Sequence, residues 1–70
     1  MNNENDLNEL IVLIKYLVNH NKSHNDELKE LAVRVNSNNF KEAYLDIEEA
    51  IKIYDKANLK LEEALKRLEK

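Results

Sequence analysis

The sequence predicts an all-α protein built as a long antiparallel helical hairpin, and three observations lead there. Its 70 residues contain no Gly and no Pro, the residues that punctuate turns and interrupt helices, so few turns are expected. The apolar positions step alternately by three and four along both halves, which is the period of a helix with one buried stripe. A single internal stretch, Asn36-Ser37-Asn38-Asn39, lacks that period.

In the first half the stripe runs Leu7, Leu10, Ile14, Leu17, Asn21, His24, Leu28, Leu31 and Val35, a heptad seam. Ile11, Val18 and Ala32 widen it on one side and Leu13 on the other, as suits a helix with more than one neighbour. Asp6 followed by Glu9 has the spacing of a capping box, which places the helix over about residues 6–35.

The turn follows at 36–39. Asn enters the left-handed region that ends helices where Gly is missing. Asn39 with Glu42 is expected to cap the second helix, which should span about 40–69. The second seam reads Phe40, Ala43, Ile47, Ala50, Tyr54, Ala57, Leu61, Ala64 and Leu68. Alanine at every other seam position lets a partner backbone approach closely, and Tyr44, Ile51 and Leu65 extend the apolar face beside it. This helix is expected to bury two sides.

An alternative remains at Asn19–Asp26, which is rich in indifferent helix formers. Ser23 with Asp26 could start a new helix there, giving a three-helix bundle with a break near residues 19–25. The heptad phase is the same before Leu17 and after Leu28, which favours one continuous helix.

Residues 1–70 form one domain. A chain this short buries too little apolar surface alone and usually needs a further source of stability. With no cysteine, disulfides and thiolate zinc sites are excluded, leaving oligomerisation, well-matched helices, or a metal held by His and carboxylates. The hairpin is therefore expected to be a homodimer, a four-helix bundle, with a partner helix of another protein as the other occupant of its open face.

Charged residues make up 36% of the chain yet balance to −3, which argues for solvated helix faces and against a nucleic-acid surface. Glu48 with Lys52, Glu62 with Lys66 and Glu63 with Arg67 have the order that favours helical pairs. Lys66, Arg67 and Lys70 suit the negative end of the helix dipole. The longest apolar run, Leu10–Ile14, is far short of a bilayer span, so no membrane segment is expected. Met1–Asp6 lacks the basic and apolar regions of a signal peptide, and a cytoplasmic protein is the expectation.

Folding the hairpin near Asn38 makes residues whose numbers sum to about 75 face each other. Asn21 then meets Tyr54, and His20 meets Asp55, with Asn58 one turn further on. A mid-length layer of His20, Asn21, His24, Tyr54, Asp55 and Asn58 interrupts an aliphatic seam, and burying it costs free energy unless its members hydrogen-bond or coordinate something.

Three readings of this layer stand side by side. Polar seam residues such as Asn21, Tyr54 and Asn58 fix register and oligomer number. His20 and His24, four apart on one helix face, could hold a transition-metal ion with Asp55, Glu27 or Glu48 supplying oxygen, or with a second His pair from a dimer. Histidines in a packed interface could also respond to protons. Otherwise the cofactor expectation is none. No Gly-rich phosphate loop, cysteine nucleophile or cleft is expected, and the Glu-x-x-His motif of di-metal bundles is absent, so the chain is not read as an enzyme.

The stretch from Ile14 to Leu31, with His20-Asn21-x-x-His24, then an acidic-apolar helix, a short turn and a Glu/Ala/Leu-rich helix, resembles a small uncharacterised domain found mainly in archaea and anaerobic bacteria. Its usual pattern is His-Trp-x-x-His-Asn-x-x-His. The resemblance implies His20, Asn21 and His24 as the site positions. Tyr16 stands where that pattern has a third His and Leu17 where it has Trp, which leaves a two-His site or one assembled in a dimer.

Overall fold

The computed structural model describes residues 3–69: helix α1 over Asn3–Ser37, a tight turn, and helix α2 over Lys41–Leu68, folded back as an antiparallel hairpin about 57 Å long. Helix α1 runs unbroken through residues 19–25, so the three-helix alternative is not adopted. The shared heptad phase on either side of that stretch lets one continuous face stay against α2. Helix α1 also extends through Asp6, which lies within the helix and not at its start. Met1, Asn2 and Lys70 lie outside the described residues.

The turn is a Schellman ending. Asn39 takes φ 67°, the left-handed position that Gly fills elsewhere. The Phe40 N–H donates to the Val35 carbonyl (3.3 Å) and the Asn39 N–H to the Asn36 carbonyl (3.0 Å). Two side chains help close the helix, Ser37 Oγ donating to the Val33 carbonyl (2.9 Å) and Asn38 Nδ2 to the Arg34 carbonyl (2.8 Å). Asn39 thus serves the end of α1. The N-cap of α2 is Phe40, without a side-chain cap, and this replaces the expected Asn39–Glu42 pair.

That ending carries α1 through Ser37 and starts α2 at Lys41, so the centre of the turn lies later than Asn38. The register shifts accordingly by one helical turn: Asn21 meets Asn58, not Tyr54, and Asp55 meets Asn25, not His20.

Every other position of the inward seam is also displaced by one residue in each helix, while Ile14, Asn21, Leu28 and Val35 and Ile47, Tyr54, Leu61 and Leu68 lie inward as expected. The least exposed residues of α1 follow Ile11, Ile14, Val18, Asn21, Asn25, Leu28, Ala32 and Val35, and those of α2 follow Tyr44, Ile47, Ile51, Tyr54, Asn58, Leu61, Leu65 and Leu68. Val18 is 6% and Ala32 4% exposed, whereas their neighbours Leu17 and Leu31 are 45% and 44% exposed. In α2 the large side chains Tyr44, Ile51 and Leu65 turn towards α1, and the alanines flank them. Larger side chains remove more apolar area from water, which is the reason this face wins over the alanine face.

The displaced seam gives the hairpin two unlike edges. On one, Lys15 pairs with Glu69 (3.4 Å) and Lys22 with Glu62 (3.7 Å), and Lys29 stands beside Glu48. On the other, Leu10, Leu17, His24 and Leu31 of α1 run alongside Ala43, Ala50, Ala57 and Ala64 of α2. Glu62, Glu63 and Glu48 therefore have partners other than those expected within four residues: Lys22, Lys60 (3.3 Å) and the Tyr44 hydroxyl, respectively.

Candidate functional site

Three asparagines, Asn21 and Asn25 of α1 and Asn58 of α2, interrupt the seam at mid-length, and the exposed Asp55 reaches them from the charged edge. Asn58, 8% exposed, accepts a hydrogen bond from Asn21 Nδ2 (3.0 Å) at Oδ1 and donates from Nδ2 to the Val18 carbonyl (3.3 Å). Asn25, 5% exposed, donates to Asp55 Oδ1 (2.8 Å), while its own Oδ1 is buried without a partner. Asn21 and Asn25 are four apart on α1 and so stack on one face. These bonds connect the two helices only in one register, because sliding by a turn would bury amides against aliphatic neighbours.

Of the expected layer, the structure brings together Asn21 and Asn58 directly, and Asp55 joins through Asn25. Asn25 was missed. Its signal was present in the spacing Ile11, Val18, Asn25, Ala32, a heptad line passing through the polar stretch.

The histidines form a second group on the outer side of α1. His20 and His24 approach through their Nε2 atoms at 2.9 Å, with rings edge-to-face and centroids 4.3 Å apart. Tyr16 stacks on His20 at 5.5 Å, and Tyr54 of α2 lies 6.4 Å from His24. The Glu27 carboxylate sits 3.7 Å from His24 Nδ1. His24, Glu27, Leu28, Leu31, Ala50 and Tyr54 line a shallow depression of about 280 Å³ on the Leu/Ala edge. Asp55 is engaged by Asn25, and among the described residues no three His, Cys, Asp or Glu side chains converge as a metal-holding group. The histidine pair and Asp55 are thus separate features.

Tyr44, near the turn, has its ionisation displaced. Its hydroxyl donates to Glu48, whose negative charge beside it, with some burial, raises its pKa above the ordinary 10.0.

Fold and layer together define a helical-hairpin module with an inter-helix amide register and an exposed histidine pair. Residues 10–68 match the model of the Domain of unknown function (DUF8180) family, and the chain belongs to that family. No curated protein and no solved structure matches it. Among the described residues no helix is long and apolar enough to cross a membrane.

Proposed function

We propose that this chain is a non-catalytic helical interaction module that self-associates, two hairpins packing through their Leu/Ala edges into a four-helix bundle. The observation that carries this reading is the open edge itself, where Leu10, Leu17 and Leu31 remain more than two-fifths exposed beside four alanines.

Area argues for a second copy. The chain exposes 5911 Å², whereas a compact monomer of its 8.3 kDa is expected to expose about 4,600 Å². The excess exceeds the roughly 800 Å² that each partner contributes to a standard interface. Among the described residues only Val18, Ala32 and Ile51 are buried apolar residues, and no side chain is fully enclosed; a core of that size is marginal alone.

The edge is also self-complementary. A two-fold axis along the hairpin sets the leucines of one copy over the alanines of the other and repeats the contact reciprocally, as an isologous interface requires. The lysine and acid lines stay in water on the far edge.

Sedimentation equilibrium of the full chain tests this, with Leu10→Lys/Ala64→Lys as the comparison. The wild type is expected at the mass of two chains and the double variant at one, both helical by circular dichroism. A wild type that stays single at micromolar concentration overturns self-association and leaves a helix of another protein as the occupant.

A further inference from the structure

We infer that His20 and His24 form a bidentate chelate for a divalent transition-metal ion of borderline softness, such as Zn(II), Ni(II) or Cu(II), through their two Nε2 atoms. The inference stands on the geometry of one helix and needs no second copy.

The first support is the distance. The two Nε2 atoms are 2.9 Å apart. Imidazole nitrogens bind such ions at about 2.0–2.1 Å, so two adjacent donors of an octahedral ion stand about 2.9 Å apart, and those of a tetrahedral one about 3.4 Å. A small rotation of either ring covers that range. Spacing of four on a helix brings two side chains to one face, but it does not dictate which nitrogens converge; here both are Nε2.

The second support is the outer shell. The Glu27 carboxylate lies 3.7 Å from His24 Nδ1, beyond hydrogen-bond range, but its negative charge favours the proton on Nδ1 and leaves Nε2 unprotonated. In the metal-free pair His20 Nε2–H then donates to His24 Nε2. On binding, that proton leaves Nε2 and solvent supplies one to Nδ1 of the same ring, so both imidazoles remain neutral and the ion keeps its full charge. Tyr16, stacked on His20, limits the rotation of that ring, and in the single hairpin water fills the remaining coordination positions.

Two donors on one rigid frame bind together more tightly than either alone, by roughly a hundredfold or more where the geometry matches. Asn21, between them in sequence, is committed to Asn58 and takes no part.

The test is a Zn(II) titration of untagged, full-length protein, following the ring nitrogens of both histidines by NMR. The Nε2 signals of His20 and His24 are expected to shift together at a single stoichiometric point, and His20→Ala or His24→Ala to weaken binding roughly a hundredfold with helicity unchanged. Separate titration of the two rings, shifts at Nδ1, or an alanine variant that binds as well as the wild type overturns the chelate. The Leu10→Lys/Ala64→Lys variant, changed about 15 Å along α1 from His20 at Leu10 and about one helical turn from it at Ala64 on α2, keeps the joint shift if the chelate is right. Its failure is therefore distinguishable from a failure of self-association, which mass alone reads.

Discussion

The two edges of the hairpin face the same solvent and are built from opposite chemistry. One carries Lys15, Lys22 and Lys29 against Glu48, Asp55, Glu62 and Glu69; the other carries Leu10, Leu17 and Leu31 against alanines. A charged edge is satisfied by water and contributes little whether or not its pairs form. An apolar edge is not satisfied by water, and its stability rises when something covers it. The difference is the basis on which self-association is proposed through the Leu/Ala edge and not through the charged one.

The largest expected effect tests that contrast directly. Leu17→Lys, on the apolar edge, should reduce the sedimenting mass from two chains to one, while Lys22→Leu on the charged edge should leave it unchanged; equal responses would remove the distinction between the edges. Next comes the layer between them. Asn58→Ala strips Asn21 and the Val18 carbonyl of their partner and should cost about 1–3 kcal/mol in urea unfolding. Replacing Asn21 and Asn58 together by Leu should recover that loss and broaden the range of oligomer masses, since an aliphatic layer no longer selects register.

Ala57→Leu sharpens the comparison further. Ala57 is exposed in the single hairpin, where a larger side chain should change stability by no more than about 0.5 kcal/mol. Packed against a second copy, the same change should cost about 1–3 kcal/mol through overpacking. Thermal unfolding at two protein concentrations separates these values.

Smaller effects belong to the charged side. Tyr44 holds its proton to higher pH because Glu48 accepts from it and repels the phenolate. A raised value means that its contribution to stability is whole below the unfolded-state value near 10.0 and is lost as pH climbs through the folded one. Glu48→Gln should bring the phenolate absorbance transition of Tyr44 back towards that value, with Tyr44→Phe identifying the signal. Least of all, Lys22→Ala should cost about 0.2–1 kcal/mol at low salt and nothing resolvable at high salt.

Much of this architecture was legible in the residues. The absence of Gly and Pro, the unbroken heptad phase and the aperiodic Asn36–Asn39 stretch point to two helices and one turn, and those signals are local. Which flank of each helix turns inward was not legible from α1, where Ile11 and Val18 are as apolar as Leu10 and Leu17. The choice is made jointly, by Tyr44, Ile51 and Leu65 outweighing the alanines of α2 and by lysines meeting acids across the gap. Register depends on how the turn ends, and Asn39 in the left-handed position moved it by a full helical turn. Asn25 escaped notice because it sits in a run of polar residues whose helical state was itself in question. The spacing of His20 and His24 announced proximity; the meeting of their Nε2 atoms depends on the ring rotamers, which spacing does not set.

The amide layer also divides the hairpin into two short aliphatic clamps with a polar waist. Asn25 Oδ1 is enclosed there without a partner, so opening the waist to water regains a hydrogen bond that the closed state lacks. The centre should therefore breathe before its flanks do, reversing the usual order in which a helix frays from its ends. In hydrogen exchange, amides near Asn25 and Asp55 would trade their protons sooner than those near Ala32 and Ile51. A second hairpin laid along the Leu/Ala edge would splint the waist and slow that exchange.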